Sequence, residues 1–270
     1  MRSGLGRLLA GVGLLVVLVL VAGASLVLHA GGRGDRELHA PRLGPSLEHP
    51  FGTDHLGRDV AILVVDGAPI SLSVAMIAVA LATVIGGTVG AAAGIRGGVL
   101  GGVLMRITDV VAAVPQVVLV IVIAALWGGH STMLVILTIG LTTWMGTARL
   151  TRAEALRVGA ADFVQAAKAT GAGGWHVAIR HFLPHLLPVL LVAGTLRIGN
   201  AILLESSLGF LGLGVAHVTP TWGRLVWEGF AGLRDTWWVS VAGGAAITWA
   251  TVGANLLGDG VRDLVSREVD

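Results

Sequence analysis

Long apolar runs separated by short polar segments dominate this chain. A helix that crosses the hydrocarbon core of a bilayer needs about 20 consecutive apolar residues. Runs of about this length lie at residues 8–28, 70–94, 107–127, 133–150, 184–208 and 237–258. The pattern therefore predicts an all-α integral membrane protein with about six transmembrane helices.

The composition agrees with lipid as the solvent of these helices. Of the 270 residues, 54% are hydrophobic, only 13% are charged, and 41 are glycine. Because small residues let transmembrane helices approach closely, the glycine content favours packed spans over a soluble domain. The chain has no cysteine, which excludes disulfides and cysteine-bound zinc.

Basic residues are unevenly divided between the two sides of the predicted spans. With the N-terminus inside, eleven of the 18 lie on the cytoplasmic side, six lie outside, and Arg197 lies within a span. Cytoplasmic loops carry the excess of basic residues in membrane proteins, so we expect both termini in the cytoplasm. The expected parts are a first span at 1–30, an extracytoplasmic loop at 31–69, a core of about five spans at 70–260 with a cytoplasmic segment at 151–183, and a cytoplasmic tail at 261–270.

The first apolar run has a second interpretation. A basic start, an apolar stretch and the small residues Ala22, Gly23 and Ala24 before Ser25 are typical of a secretory signal peptide. Cleavage would leave five spans and would not change the orientation of the others. Whether residues 1–24 are retained therefore stays open.

One long polar segment, at residues 151–181, separates the fourth span from the fifth. Its first part, 152–168, consists mostly of good helix formers, and three glycines from Gly171 to Gly174 then stop the helix. A second short helix is predicted next, with one apolar face made by Trp175, Ala178, Ile179 and Phe182. Such a hairpin suits docking into a groove on a soluble partner. An ordinary connection between two spans fits the periodicity equally well.

The same segment resembles a motif of ATP-binding cassette (ABC) importer permeases. Residues 162–172, followed by Leu183 and Pro184, are similar to the EAA loop of that family. Gln165 stands where the family usually has glutamate, and His181 where it often has isoleucine. The resemblance implies a coupling loop that sits on the ATP-hydrolysing subunit. Its residues here would be Asp162, Phe163, Gln165, Ala166, Ala167, Gly171, Ala172, Trp175, Leu183 and Pro184.

Two further stretches resemble the peptide and nickel branch of this family. One is residues 49–60, and the other is residues 205–215 with 219–223 after it. Together the three motifs imply a type I ABC importer permease fold in the bacterial plasma (inner) membrane, with di- or oligopeptides as substrate and nickel as the alternative. The implied partners are a second permease, two P-loop ATPase subunits or one fused ATPase, and an extracytoplasmic substrate-binding protein.

The chain lacks the residues that bind ATP in a P-loop. That loop is glycine-rich and ends in Gly-Lys-Ser/Thr, whereas the one lysine of this chain, Lys168, follows Ala167. We therefore expect a transport subunit rather than an enzyme, with no cofactor of its own and with ATP and Mg²⁺ bound by partner subunits. A basic stripe interleaved with aromatic residues is not evident, so nucleic acid is not an expected partner.

Few ionisable residues fall within the predicted spans. A charge at the bilayer centre costs about 2.5 to 3.5 kcal/mol on insertion scales, so each one indicates a polar path or a partner. Arg197 lies thirteen residues into the span that begins at 184. Arg197, Asn200 and Glu205 are candidates for lining a translocation path. A structural ion pair, or a hydrogen bond to a neighbouring helix, is the alternative for Arg197.

Local spacing gives three further expectations. Asp109 is expected to pair with Arg106 at i, i+3, and Pro115 is expected to kink the third span. His181 and His185 have the i, i+4 spacing of a metal pair but lack a third ligand, so no metal site is predicted.

A secondary transporter driven by an ion gradient is the alternative from a different class. It would need exchangeable carboxylates or discontinuous helices in the membrane, and outside the loops only Asp109 and Glu205 qualify. An intramembrane enzyme would place a nucleophile and a base at one depth, and no such set is evident. The sequence does not separate peptide from nickel, although the lack of histidine enrichment in the spans favours peptides.

Overall fold

Helices make up nearly all of the secondary structure in the residues that the computed structural model describes. These are residues 38–128, 131–216 and 219–265, with scattered helical positions between 6 and 23. The helices are α1 (Val60–Arg96), α2 (Gly98–Ala112), α3 (Gln116–Trp127), α4 (Thr132–Thr143), α5 (Met145–Gly159), α6 (Asp162–Ala169), α7 (Gly174–Val177), α8 (Leu183–Phe210), α9 (Trp222–Ala231) and α10 (Trp237–Val265). One π-helical turn, Ala178–Phe182, joins α7 to α8. The predicted all-α fold is confirmed.

Three of the described helices are long and apolar enough to cross a membrane. They are α1, the continuous run Gly174–Phe210, and α10. Two bent pairs, α2 with α3 and α4 with α5, raise the number to five if each pair is one span. Each of the last five predicted spans falls within one of these helices or pairs. Of the predicted span at 8–28, eleven residues are described, all of them helical, and the other ten lie outside the described residues.

Helix α1 begins at Val60 rather than at residue 70, because Asp59 caps its N-terminus. The Asp59 carboxylate accepts a hydrogen bond from the backbone N–H of Ala61 at 2.7 Å. Its other oxygen lies 2.8 Å from Nδ1 of His49. An N-cap aspartate binds an N–H group that has no partner within the helix. The helix therefore extends beyond the predicted apolar run.

The predicted kink at Pro115 is confirmed, and it is an 84° bend between α2 and α3. Proline lacks an N–H and disfavours the helical conformation in the residue before it. A second bend, of 44°, separates α4 from α5 at Trp144. No proline marks this second break, and the sequence did not predict it. The predicted span at 133–150 therefore consists of two helices, α4 and the first part of α5, rather than one.

Helices α1 and α5 pack with their backbones in close contact along a row of glycines. A β-carbon at Gly90 would lie 2.3 Å from the carbonyl oxygen of Ala148, which is closer than real contacts allow. β-Carbons at Gly86 and Gly94 would lie 2.5 Å from the carbonyl oxygen of Trp144, just before α5, and from the β-carbon of Ala155 in α5. Glycines four residues apart are a known pattern of close helix association in membranes. This signal is visible in the sequence, but the predictions above did not use it.

The two ends of α1 contact different polar parts of the chain. At its N-terminal end, the segment 38–59 meets α9, where Arg58 bonds to Glu228. At its C-terminal end, Ala91 and Ile95 pack against the core of the segment between α5 and α8. The segments expected outside and inside the cell are thus separated by the length of α1.

Candidate functional site

The segment expected to form the coupling loop folds as a helical hairpin, here called the hairpin (residues 162–184). Helix α6, a glycine-containing turn, α7 and the π-helical turn follow one another in it. Val164, Val177 and Phe182 are buried and pack against α5 in a cluster of their own. The hairpin therefore has an apolar core that holds it to the end of the bundle.

A break between α5 and α6 corrects the single helix expected at 152–168. Helix α5 ends at Gly159 and α6 begins at Asp162. Nε2 of Gln165 reaches back and donates a hydrogen bond to the Gly159 carbonyl at 2.6 Å. An amide can donate here, whereas an ionised glutamate can only accept. The glutamine that departs from the family pattern thus supplies the cap at the end of α5.

Gly171 ends α6 in a Schellman motif. The N–H of Ala172 donates to the Ala167 carbonyl at 3.1 Å, and the N–H of Gly171 donates to the Lys168 carbonyl at 3.0 Å. Gly171 has a φ of 81°, in the left-handed region that favours glycine. The glycine stop predicted from the sequence is confirmed, and its cause is this left-handed residue.

Four large apolar side chains of the hairpin point away from its core. Phe163 is 45% exposed, Trp175 79%, Ile179 47% and Leu183 44%. We call these four residues the apolar patch. Trp175, Ile179 and Leu183 follow each other at four-residue intervals along one side of the chain. Exposed apolar surface of this kind contacts either a protein partner or the membrane.

The predicted common face of Trp175, Ala178, Ile179 and Phe182 is wrong in one respect. Trp175 is exposed, whereas Phe182 is only 1% exposed. Phe182 is the last residue of the π-helical turn Ala178–Phe182. The wider turn of a π-helix rotates Phe182 away from the position that an α-helix would give it relative to Trp175. A pocket of about 710 Å³ beside Trp175 and Ile179 is lined by His176, Arg180, His181 and Pro184.

The other residues predicted for the coupling loop divide between surface and core. Asp162, Ala166 and Pro184 are exposed. Ala167 and Ala172 pack against the buried cluster of the hairpin. The structure therefore brings all ten predicted residues into one hairpin, where some support its fold and others form its surface.

His181 in the hairpin and His185 just after it take part in local contacts. Nδ1 of His185 lies 2.7 Å from the carbonyl oxygen of His181. The Phe163 ring stacks on His185 with the ring centroids 5.3 Å apart. Phe163 is thereby held next to the start of α8.

Arg197 reaches the break between α4 and α5. Its Nη1 donates a hydrogen bond to the carbonyl oxygen of Thr143 at 2.8 Å. Gly146 leaves room for the guanidinium, because a β-carbon there would lie 2.3 Å from Nη2. This contact is the hydrogen bond to a neighbouring helix that the sequence left as the alternative to a path role.

The three residues predicted for the path do not share one face. Asn200 is exposed on the side of α8, whereas Glu205 is 1% exposed. Ser206 donates a hydrogen bond to Oε2 of Glu205 at 3.4 Å, and the hydroxyls of Ser71 and Thr221 also face this carboxylate. Glu205 therefore lies at a contact between α8, α1 and the start of α9. The path role of these residues stays a prediction.

The expected pair of Asp109 with Arg106 is wrong. Nε and Nη2 of Arg149 donate to Oδ1 of Asp109 at 3.1 and 2.8 Å. Helix α2 folds back against α5, as Met105 and Ala148 share one buried cluster. This packing brings Arg149 of α5 to Asp109, which spacing along α2 could not show.

A buried charge network, which the sequence did not predict, lies at the N-terminal end of α1. Arg58 bonds to both Asp54 and Glu228, and Arg224 bonds to Glu228 at 2.6 Å. Ligand atoms of Asp54, His55 and Glu228 lie within 4.8 Å of one another. Because guanidinium groups already bind both carboxylates, this cluster is better explained as an ion-pair network than as a metal site.

Comparison with known proteins agrees with this architecture. The family model of binding-protein-dependent transport system inner membrane components matches residues 83–270. The "Probable D,D-dipeptide transport system permease protein DdpC" of Escherichia coli K12 is 38% identical over 253 residues, which cover 93% of this chain and 83% of that protein. A "Putative peptide transport system permease protein" of Brucella suis is 36% identical over 257 residues, covering 94% and 86%.

The matched region contains the hairpin, the break at Trp144 and the whole of α8. The resemblance carried by the three sequence motifs is thereby confirmed. This chain belongs to the family of binding-protein-dependent transport system inner membrane components, which are membrane permeases.

Proposed function

We propose that this chain is one permease subunit of an ATP-driven importer for di- or oligopeptides. With a second permease it would form the translocation path, and an extracytoplasmic binding protein would deliver the peptide. One or two ATPase subunits would bind ATP and Mg²⁺ on the cytoplasmic side. The membrane would be the bacterial inner membrane, with the hairpin on its cytoplasmic face.

The observation that carries this proposal is the apolar patch on the hairpin. Trp175 is 79% exposed although the hairpin has a buried apolar core of its own. The hairpin core holds Trp175 and Ile179 outward, in a position to enter a groove on a soluble protein. The patch therefore supports docking to a partner, and the family supports an ATPase as that partner.

The relatives favour peptides over nickel. Those reported above are named for dipeptide or peptide transport. The carboxylates of the one candidate cation cluster in the described residues are bound by Arg58 and Arg224. Peptide is therefore the substrate class that we propose for this subunit.

Helix α8 supplies the surface that we assign to the path. Asn200 is exposed in this isolated chain although it lies within a span. Leu203 and Ser207 are exposed with it, at helical spacing on the same side. A polar amide facing hydrocarbon is unfavourable, so this face is expected to meet water or the second permease. Arg197 and Glu205 would support this face from within the chain.

The test of coupling is co-purification of the ATPase subunits with a patch variant. The chain is co-expressed with the second permease and the ATPases of its gene neighbourhood, and Trp175→Glu is compared with Trp227→Glu. Trp227 is also exposed, at 46%, but lies on α9 near the other end of α1. We expect Trp175→Glu to lose the ATPases and Trp227→Glu to keep them. Equal retention by both variants would contradict the docking role.

The energy source is tested by peptide uptake into proteoliposomes that contain the complete complex and the binding protein. We expect uptake when ATP is supplied on the side of the membrane where the ATPase subunits lie. No ion gradient should be needed. Uptake that needs an ion gradient and proceeds without ATP would support the secondary-transporter alternative instead.

A further inference from the structure

The break at Trp144 leaves backbone carbonyl groups without helical partners inside a membrane-spanning pair. The last carbonyl groups of a helix have no intrahelical donor, and lipid offers none. The hydroxyls of Thr142 and Thr143 donate to carbonyl groups one turn earlier, those of Thr138 and Ile139. They therefore leave the Thr143 carbonyl itself to another donor.

Arg197 provides that donor from α8. Its Nη1 binds the Thr143 carbonyl oxygen at 2.8 Å, over a separation of 54 residues. The C-terminal end of α4 carries a partial negative charge, and a cation placed there is favourable. The guanidinium makes no other hydrogen bond among the described residues, and Arg197 is half-buried. Its interaction with the end of α4 is thus the one polar contact that the structure gives it.

Two glycines shape the space around this contact. At Gly146, on the first turn of α5, a β-carbon would meet Nη2 of Arg197 at 2.3 Å. At Gly86, on α1, a β-carbon would lie 2.5 Å from the Trp144 carbonyl oxygen. The break is therefore packed against both α1 and α8: a larger residue at Gly86 would meet backbone, and one at Gly146 would displace the Arg197 guanidinium.

Arg197 also connects the two helices that lead into the hairpin. Helix α5 enters the hairpin at Gly159, and the continuous run Gly174–Phe210 leaves it and carries Arg197. The bond from Arg197 to Thr143 ties α8 to the end of α4, and Nη2 of the same guanidinium lies against Gly146 on the first turn of α5, far from the hairpin itself.

We propose that Arg197 is a positioning residue, which fixes the angle between α4 and α5 by binding the Thr143 carbonyl at the end of α4 while its Nη2 packs against Gly146 on the first turn of α5. It holds the two legs of the hairpin together, so that movement of the hairpin reaches the spans as one displacement. The effect of Arg197 on transport rests on the proposed function, whereas its effect on the angle between α4 and α5 does not.

The angle is measured by electron-spin distance spectroscopy on the assembled complex in lipid nanodiscs. Since the chain has no cysteine, labels can be placed at Met133→Cys on α4 and Leu156→Cys on α5. Both side chains are exposed, at 59% and 48%. We expect a single narrow distance distribution in the otherwise unchanged chain.

The variants are Arg197→Gln, Arg197→Lys and Gly146→Ala. Arg197→Gln should broaden the distribution and lower the peptide transported per ATP severalfold, because the end of α4 loses its charge-assisted hydrogen bond. Arg197→Lys keeps the charge, so the width of its distance distribution should lie between those of Arg197→Gln and the unchanged chain. Gly146→Ala keeps the arginine but displaces it, and should broaden the distribution as well. Arg149→Gln, which removes an exposed ion pair with Asp109, is the control and should leave the distribution narrow.

An unchanged distribution and an unchanged transport per ATP in Arg197→Gln would overturn the proposal. If Arg197→Gln does not assemble, unchanged distributions in both Arg197→Lys and Gly146→Ala would overturn it equally. The distance measurement needs neither ATP nor peptide. A complex that shows no ATP-driven uptake would therefore refute the proposed function. The distance distributions would still decide the role of Arg197 at the break.

Discussion

Nη2 of Arg58 lies 3.0 Å from Oε2 of Glu228, although the two residues are 170 positions apart in the chain. Nε of the same guanidinium binds Asp54 at 2.5 Å. The side chains of Asp54 and Glu228 are only 1% and 3% exposed. This network attaches the segment before α1 to α9 through charges that are shielded from water.

The first prediction is that Arg58→Gln strongly destabilises the protein. Removing one partner of a buried ion pair leaves an uncompensated charge and typically costs about 3 to 5 kcal/mol. The expected result is a lower melting temperature of the detergent-solubilised subunit, measured by tryptophan fluorescence. Arg42→Gln is the matched control, because its pair with Asp235 is exposed and 3.4 Å long, and such pairs contribute about 0 to 1 kcal/mol. Similar melting temperatures for the two variants would contradict the role of the network.

The second prediction concerns the close contact of α1 with α5. Gly90→Leu should reduce the yield of folded protein, because its side chain would collide with the backbone at Ala148. Overpacking of this kind typically costs about 1 to 3 kcal/mol. The yield is measured as the monodisperse fraction in size-exclusion chromatography. Gly102→Leu is the control, since a β-carbon at Gly102 meets nothing within 4 Å. Equal yields would argue against the glycine contact.

The third prediction is that Gly171→Leu uncouples ATP hydrolysis from peptide transport without preventing membrane insertion. A leucine would strain the left-handed conformation by about 1 to 2 kcal/mol and disturb the bend between α6 and α7. The ratio of transport to ATP hydrolysis is measured in the reconstituted complex. Gly174→Leu should behave normally, because Gly174 starts α7 with a helical conformation and open space around it. Normal coupling in Gly171→Leu would remove the coupling role of the bend.

The fourth prediction is the orientation of the chain. Residues 151–183 and the C-terminus should lie in the cytoplasm, and residues 31–65 outside. In a chain without native cysteine, Ala161→Cys should be protected from an impermeant reagent added outside, whereas Leu47→Cys, at a fully exposed position, should react. Labelling of Ala161→Cys from outside would reverse the predicted topology.

Features that depend on local chemistry could be predicted from the sequence. The bilayer sets the length of an apolar run, so each of the last five predicted spans falls within one long helix or one bent pair of helices. Pro115 bends its span because a proline ring acts on its own backbone, and Gly171 stops α6 because glycine accepts a left-handed conformation. Each of these effects needs only the residue and its neighbours.

Features that depend on packing between distant segments could not be predicted in this way. Asp109 bonds to Arg149 rather than to Arg106 because α2 folds back onto α5. The break at Trp144 has no proline, and the group that binds its free carbonyl, Arg197, comes from another helix. The buried position of Phe182 follows from one π-helical turn. None of these is set by spacing along a single helix.

The glycine row between α1 and α5 has a mechanical consequence. A layer of side chains between two helices can repack and let them slide, whereas backbones in direct contact cannot do so. We therefore expect α1 and α5 to move together as one rigid unit. With 37 residues, α1 is about 55 Å long. A push on the hairpin would enter α1 through Ala91 and Ile95 and be carried toward the Asp59 cap, with Pro69 as the point within the helix where it can bend.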